Sequence, residues 1–217
     1  MPQGTTVVLD AAPLDRLLAR AAAVRSAGAA RVVIGPSAGI DPLTCAGALA
    51  GTGAFGVFVE LGRGRAASVL ARELITLDHL SGGTLVVVLR PPRADAERQL
   101  GEALGVLHAL FTQEVANFSG TTVTLHDAAS RPLPIQPGGP ALFVLDAQPG
   151  GARIRPAGPE GISPSSDGAA LEVLRDATLL SERLHGARPG SWCWPTTESV
   201  EELARGLASR EQAGWSP

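Results

Sequence analysis

DPLTCAGALAGTGAFGVFVELGRGRAASVLARELITLDHLSGGTLVVVL, residues Asp41 to Leu89, is the stretch that decides the fold of this chain. It predicts two helix–strand units placed end to end. Asp41 and Pro42 begin the first helix, because an aspartate accepts hydrogen bonds from a free first turn and proline fits the first helical position. Residues 76–83 (TLDHLSGG) end the second helix and lead into the apolar strand Thr84–Leu89.

The rest of the chain repeats this alternation of apolar runs and amphipathic helices, which predicts a parallel α/β architecture. The predicted strands are Thr5–Asp10, Arg31–Gly35, Phe55–Glu60, Thr84–Leu89, Ala141–Asp146 and Ser191–Trp194. The predicted helices are Pro13–Ala27, Asp41–Ala50, Ala66–His79, Ala94–Asn117, Gly168–His185 and Thr197–Ala213. The residues expected to face the core are Leu14, Leu17, Leu18, Ala21 and Val24 on the first helix and Val69, Leu70, Leu74 and Leu77 on the third. The chain therefore has six or seven predicted strands, and its length favours a single domain over residues 1–217.

Two segments between these elements are predicted to be irregular. Phe118–Gly139 is rich in turn-forming residues and is interpreted as a small hairpin or loop. Gln148–Asp167 is rich in proline and glycine and is interpreted as mostly loop, with a short strand near Gly161–Ser163.

Composition excludes several classes of protein. The net charge is −3 and no basic run exists, so nucleic acid is not an expected partner. No apolar stretch is long enough for a membrane span and the N-terminus does not resemble a signal peptide, so a cytoplasmic protein without membrane contact is expected. All 18 basic residues are arginine, which excludes chemistry that needs a Schiff-base or P-loop lysine. The four histidines and two cysteines lack metal-ligand spacing, so no metal site is expected.

Several short motifs match one family pattern. They are Asp41-Pro42-Leu43, Thr52, Ala71-Arg72-Glu73, Thr76-Leu77-Asp78 and Leu80-Ser81-Gly82-Gly83, with weaker matches at Phe118-Ser119-Gly120, Pro132–Gln136 and Glu160-Gly161. In these motifs the chain resembles the bacterial luciferase-like family of flavin-dependent monooxygenases and their deazaflavin-using relatives. The polar members Asp41, Thr76, Asp78 and Ser81, with Gly82, are expected to act structurally, as helix caps and turn residues.

The resemblance implies an α/β fold, a reduced luciferase-like (β/α) TIM-type barrel with a flavin at the C-terminal ends of its strands. Residues 89–93 lead almost directly into the next helix, so the segment after strand four is shortened. In this the chain is similar to the non-fluorescent flavoprotein branch. The implied function is a flavin-associated oxidoreductase of the monooxygenase type, with FMN or a deazaflavin and a small-molecule substrate. The alternative is a non-catalytic flavin-binding protein, or a partner subunit of a full-length homologue. The chain itself would hold no cofactor if it is only a partner subunit.

A homodimer, or a heterodimer with a longer homologue, is also expected. A barrel that lacks part of its helical ring would expose apolar edges for a partner to cover. The resemblance implies contact through the early helices of the barrel.

Candidate cofactor contacts follow from barrel geometry, because the C-terminal strand ends and their loops form the active site of such folds. The candidates are Gly35, Ser37, Glu60, Arg63, Arg90, Gly150, Gly151 and Arg153. The two adjacent glycines allow backbone N–H groups to approach an anion, although Pro149 beside them has no N–H. With no lysine present, a phosphate must be held by arginine, hydroxyl or backbone N–H groups. No residue is identified as a catalytic acid or base.

Two further motifs suggest other functions. Gly35-Pro36-Ser37-Ala38-Gly39 matches a nucleophile elbow, and Asp146 and His185 follow in the order of the α/β-hydrolases, so a serine hydrolase that uses Ser37 is a remote alternative. Against it, the next helix begins four residues after the serine. Residues 51–56 (GTGAFG) match a dinucleotide fingerprint, but a helix precedes them and a strand follows, so they are interpreted as a packing turn.

Overall fold

Eight strands close into a barrel in the computed structural model of the chain, which describes residues 4–37, 39–61, 65–91, 97–148, 151–159, 161–162, 168–186 and 191–212. The strands are β1 (Thr6–Asp10), β2 (Arg31–Gly35), β3 (Phe55–Glu60), β4 (Val86–Arg90), β5 (Val115–Ser119), β6 (Thr124–Ala129), β7 (Ala141–Gln148), β8 (Gly151–Gly158), β9 (Gly161–Ile162), β10 (Ala169–Leu174) and β11 (Trp192–Pro195). The helices are α1 (Leu14–Ser26), α2 (Pro42–Ala48), α3 (Ala67–Leu80), α4 (Glu97–Thr112), α5 (Ala177–His185) and α6 (Thr197–Gln212).

The order of strands around the barrel is β1, β2, β3, β4, β7, β8, β10 and β11, which pairs again with β1. Each neighbouring pair is parallel except the two pairs that involve β8, which runs antiparallel to both β7 and β10. Strands β5 and β6 form a separate antiparallel hairpin between α4 and β7, and β9 pairs with the end of β8. The C-terminal ends of the parallel strands therefore meet at one mouth of the barrel.

Alternation along the strands divides the apolar side chains into two cores. Val8, Val33, Phe58, Phe143 and Trp192 belong to the cluster inside the barrel, where Phe143 and Trp192 meet edge to face at a centroid distance of 5.5 Å. On β1 to β4 the alternate residues, such as Val7, Val32, Val57 and Val87, face outward and belong to a second, larger cluster formed with the helices. Burial of one such side chain stabilises the fold by roughly 1.5–3 kcal/mol.

Strands and helices in the N-terminal half begin and end within about two residues of their predicted bounds, but the C-terminal half required two corrections. Gln148–Asp167, predicted to be mostly loop, contains the eight-residue strand β8. Gly168–His185, predicted to be one helix, is β10 followed by α5, whose N-cap Asp176 accepts hydrogen bonds from the N–H groups of Thr178 and Leu179. The residues of β10 have good helix propensity, and pairing with β8 and β11 overrides it. The predicted count of six or seven strands was therefore too low.

Other expectations about helices also need correction. The predicted helix Ala94–Asn117 ends earlier, at Thr112, because β5 follows. Leu14 and Leu18 on α1 and Val69 on α3 were expected to face the core, but they are 52%, 37% and 50% exposed. Within the described residues, no helix combines the length and the apolar character that crossing a bilayer requires.

The expected apolar edge is not present where the barrel closes. The β8–β10 pairing completes the ring, and no helix lies between β7 and β10 in the described part of the chain. The outer wall there carries charged side chains, including the ion pair between Arg155 and Asp146 at 3.5 Å. The expectation of a dimer was based on an exposed apolar edge of an incomplete barrel. The ring is instead closed at this place, and its outer surface there is charged.

A buried carboxylate joins two of the sequence motifs. Asp78, near the end of α3, is completely buried. It accepts hydrogen bonds from the backbone N–H groups of Ile135 (2.7 Å) and Gln136 (3.0 Å) and from Nε2 of Gln136 (2.6 Å). His79 Nε2 donates to the Leu133 carbonyl at 2.9 Å beside it. The end of α3 thus holds the loop that leads into β7, so Asp78 acts structurally through this distant contact, and not as the helix cap or turn residue that was expected.

We expect Asp78→Ala to lower the free energy of unfolding by at least about 3 kcal/mol, because several N–H donors lose a charged acceptor in a buried place. Asp78→Asn should cost less, since its remaining carbonyl oxygen can still accept from one or two donors. Urea unfolding followed by circular dichroism measures both. Thr76 was also expected to be structural, but it is exposed and its hydroxyl donates to the Arg72 carbonyl within the same helix. Thr76→Ala is therefore the control, and it should change stability by less than about 0.5 kcal/mol. Equal effects of Asp78→Ala and Thr76→Ala would contradict this role.

A second carboxylate fixes the β5–β6 hairpin to α4. Glu102 accepts hydrogen bonds from Thr121 N at 2.7 Å and Thr122 N at 2.9 Å, and also from the Thr122 hydroxyl. The Thr122 hydroxyl, followed by these backbone N–H groups, lowers the pKa of Glu102 to about 2 in spite of its burial. The ionised carboxylate is therefore the form that the hairpin tip requires.

The pH dependence of stability should show this bond. The pKa of Glu102 in the fold lies below the value of about 4.3 for an unfolded glutamate, so its contribution is present above that pH and is lost as pH falls toward 2. Glu102→Gln should be less stable than the native chain at pH 6, and the difference should shrink between pH 5 and pH 2.5. Urea midpoints of both chains measure it; a difference that stays constant with pH would refute the assignment.

Candidate functional site

A cavity of about 470 Å³ opens at the barrel mouth, where β2, β3 and β4 end. Its volume lies within the range of small-molecule sites, about 300–1,000 Å³. The residues that line it come from the ends of these strands and from the starts of α2 and α3: Pro36, Ser37, Gly39, Ile40, Asp41, Pro42, Leu43, Phe58, Val59, Glu60, Arg65, Ala66, Val69 and Arg90. Three of the predicted contacts, Ser37, Glu60 and Arg90, are among them.

One side of the cavity is built by an ion-pair chain. Asp41 is the N-cap of α2, where it accepts from Thr44 N at 3.0 Å, as predicted. Its other oxygen lies 3.3 Å from Arg65, which in turn contacts Glu73 on α3 at 3.0 Å. Burial alone would raise the pKa of Asp41, but hydrogen bonds from Thr44 and the charge of Arg65 lower it. Arg65 therefore joins α2 to α3 and has its charge already compensated.

Opposite charges lie side by side at the ends of β3 and β4. Glu60 and Arg90 are register partners in the parallel pairing of these strands, and Leu61 N donates to the Arg90 carbonyl at 3.0 Å. Each side chain lies two residues after an inward-facing residue, Phe58 on β3 and Val88 on β4. Glu60 and Arg90 therefore continue the interior face of the barrel to its mouth. A hydrogen-bond acceptor and a guanidinium donor are thereby presented to the same cavity.

Trp194, the third residue of β11, packs against the interior cluster near the mouth. Its ring contacts Phe58 at a centroid distance of 5.5 Å, and its Nε1 donates to Asp10 Oδ1 at 2.9 Å. Gly35 permits this arrangement, because a Cβ at that position would lie only 3.2 Å from the indole Cζ2. Gly35 therefore lies beneath the indole and does not line the cavity.

The remaining predicted contacts are placed differently. Gly151 begins β8 and pairs with Gln148, so its backbone lies at the same end of the barrel as the mouth. Arg153 is exposed on the outside of β8, since its neighbours Ala152 and Ile154 belong to the interior cluster. Arg63 and Gly150 lie outside the described residues.

The residues of the hydrolase alternative are not brought together. Ser37 lies at the mouth, where it forms an antiparallel bridge with Ile40. Asp146 faces outward and contacts Arg155. His185 ends α5 near the opposite end of the barrel, and its Nδ1 is 2.7 Å from the Ser181 carbonyl. Because a catalytic triad needs mutual hydrogen bonds, this arrangement does not support a serine hydrolase.

The glycine-rich turn at residues 51–56 has the structural role that its context predicts. Arg25 donates to the carbonyls of Thr52 and Ala54 there, and a Cβ on Gly56 would lie 2.6 Å from the Val86 carbonyl. In the described part of the chain, no group of three or more histidine, cysteine or carboxylate side chains is placed to hold a metal ion.

Asp10 and Trp194 are the residues that sequence reasoning missed. Asp10 is the charged last residue of an apolar strand, as Glu60 and Arg90 are in β3 and β4. The pattern that selected those two residues therefore also indicates Asp10. Trp194 was included in a predicted strand. Its contact with Phe58 joins residues far apart in sequence, so it could be predicted only once the strand register of the barrel was known.

Comparison with solved structures identifies the class of fold. EDTA monooxygenase (EmoA) from Chelativorans sp. BNC1 matches 100% of this chain and 67% of its own at a TM-score of 0.59 and 15% identity. The coenzyme F420 dependent tetrahydromethanopterin reductase from Methanopyrus kandleri matches 68% of this chain and 51% of its own at a TM-score of 0.57 and 12% identity. The chain thus spans about half of the reductase and two thirds of the monooxygenase.

At these identities the likeness concerns the fold. It confirms the (β/α) barrel that the sequence analysis predicted, the fold that this chain shares with the monooxygenase and the reductase. The sequence matches no model of a known protein family and no curated protein. The function is therefore inferred from the residues at the barrel mouth.

Proposed function

We propose that this chain is a flavin-associated oxidoreductase of the luciferase-like monooxygenase type, working in the cytoplasm as a single domain over residues 1–217. The observation that carries the proposal is the cavity at the C-terminal ends of β2, β3 and β4, lined by Ser37, Glu60 and Arg90. In barrels of this kind ligands and catalysis occupy that end. Of the solved neighbours, EmoA is a monooxygenase, which supports the reaction type, and the other is an F420-dependent reductase, which supports a cofactor of the flavin type.

The donor set of the cavity suits a phosphorylated ring cofactor. Arg90 supplies a guanidinium for a phosphate, the Ser37 hydroxyl can donate to it, and Glu60 can accept from a ribityl hydroxyl. The N–H of Gly151 lies at the same end, with Gly150 and Arg63 as further proposed contacts. Arg153, on the outside of β8, would have to reach around the rim. When bound, the flavin would supply the redox chemistry, and the chain would position it and exclude water.

One observation favours a second candidate, a non-catalytic flavin-binding protein or a partner subunit. Residues 91–96 alone connect β4 to α4, so little chain is present over this part of the mouth. A catalytic barrel usually carries its substrate contacts on such loops. A non-catalytic flavin-binding protein would have the same flavin site as the enzyme but no catalytic turnover.

We also propose that the chain forms a homodimer, or a heterodimer with a longer homologue. Leu14 and Leu18 lie four residues apart on the exposed side of α1, so they form an apolar stripe on an early helix. This support differs from the original expectation of apolar barrel edges.

We expect the purified chain to bind FMN, and Arg90→Ala to weaken FMN roughly ten- to a hundredfold, the loss of one charge-assisted hydrogen bond. Riboflavin, which lacks the phosphate, should lose little. Isothermal titration and absorbance between 370 and 460 nm measure both ligands. The control is Arg16→Ala on the exposed side of α1, which should affect neither. Equal losses for FMN and riboflavin would show that Arg90 does not touch phosphate. Absence of FMN, riboflavin and deazaflavin binding at high micromolar concentration would refute the flavin proposal.

We expect light scattering to give twice the chain mass of 22.2 kDa at micromolar concentration. Replacing Leu14 and Leu18 together by glutamate should shift the protein to monomer, since charges would be buried in the contact. The matched control is glutamate at Leu179, an equally exposed leucine on α5. A native chain that remains a monomer would refute the homodimer.

A further inference from the structure

The indole of Trp194 lies across the barrel interior as its uppermost layer. It belongs to β11, yet it reaches Asp10 on β1, lies over Gly35 on β2 and contacts Phe58 on β3. One side of the ring therefore faces the apolar core beneath it. The side chain is only partly buried, and its contacts Asp10 and Gly35 are the last residues of β1 and β2, so the indole lies at the mouth end of the barrel.

The orientation of this ring is fixed by two contacts. The bond from Nε1 to Asp10 Oδ1 is 2.9 Å long, which sets the rotation of the indole in its plane. Phe58 packs against the ring at an interplanar angle of 39°, and Phe58 itself is only 3% exposed. The cost of ordering an aromatic side chain is therefore met by the fold before any ligand arrives.

The ring is connected to the cavity described above through Phe58, since Trp194 is not itself one of the lining residues. Phe58 contacts Trp194 and also lines that cavity, whose polar side carries Glu60 and Arg90. On the other side of Trp194, its register partner Val173 continues the interior face of β10 and is 60% exposed. The mouth therefore has an apolar floor with an oriented aromatic ring, next to a charged wall.

We propose that the exposed face of Trp194 is the surface on which the planar ring of the ligand stacks, and that Asp10 is the positioning residue that holds the indole flat. This deepens the proposed function and rests on it: the ligand class is a planar heteroaromatic ring, here the isoalloxazine of a flavin, with its phosphate toward Arg90. Planar rings gain from offset stacking on aromatic side chains, and indole is a large and electron-rich one.

The test separates the ring from the phosphate. FMN, riboflavin and lumiflavin share the ring, and FMN alone carries phosphate. Trp194→Ala should weaken all three by a similar factor, roughly ten- to a hundredfold for the loss of a stacked aromatic partner. Arg90→Ala should weaken FMN alone. Thermal unfolding and circular dichroism check that each variant is folded.

A second variant keeps the test decisive if Trp194→Ala does not fold. Trp194→Phe retains an aromatic ring and should bind flavin within a few-fold of the native affinity. Indole quenches flavin fluorescence on contact and phenyl does not, so flavin bound to this variant should emit while flavin bound to the native chain stays dark. Asp10→Ala should partly restore emission, and Asp10→Asn, which keeps an acceptor for Nε1, should preserve quenching.

The outcomes are distinguishable. Flavin that binds the native chain and both Trp194 variants equally, with the same emission, overturns the stacking assignment and leaves the proposed function in place. No flavin binding by the native chain overturns the proposed function, and the stacking assignment with it. Parallel losses for the three ligands in Trp194→Ala, with emission recovered in Trp194→Phe, support both.

Discussion

The buried carboxylate of Asp78 is the interaction on which the arrangement of this fold depends. A carboxyl group in a fully buried place is costly unless hydrogen bonds replace water, and here Ile135 and Gln136 supply three N–H donors. Gln136 also donates to the Leu85 carbonyl at 2.9 Å, just before β4. One carboxylate thus fixes the end of α3, the entry to β4 and the approach to β7. Two motifs that are separate in the sequence, TLDHLSGG and PLPIQ, are two halves of one contact.

Much of the fold was predictable because its information is local. Asp41 caps α2, and Gly82 and Gly83 take positive φ angles of 63° and 78° after α3, as a helix end requires. The misread elements depend on partners distant in sequence. The run from Ala169 to Leu174 suits a helix as well as a strand, and only its position between β8 and β11 decides. The proline and glycine content around β8 likewise hid a strand that closes the barrel.

The candidate site divides in the same way. Strand ends are visible in a sequence as charges that terminate apolar runs, so Glu60 and Arg90 were predicted and do line one cavity. Arg153 was predicted as a cofactor contact because it was expected to lie in a loop after a strand. Instead β8 begins at Gly151, and the alternation along this strand directs the Arg153 side chain outward. Trp194 and Asp10 meet across the β11–β1 junction, which joins opposite ends of the chain. No local pattern specifies that contact.

Strand β8 is the one antiparallel member of the eight-stranded ring, and this has a consequence for how the ring closes. A parallel neighbour for β7 would need a crossover connection, whereas β8 returns directly after residues 149–150. Hydrogen bonding around the ring is then complete without helices over that sector, and exposed strand edges, which promote aggregation, are avoided. A barrel can therefore close without helices over one sector where a reversed strand, here β8, supplies the backbone partners on both sides.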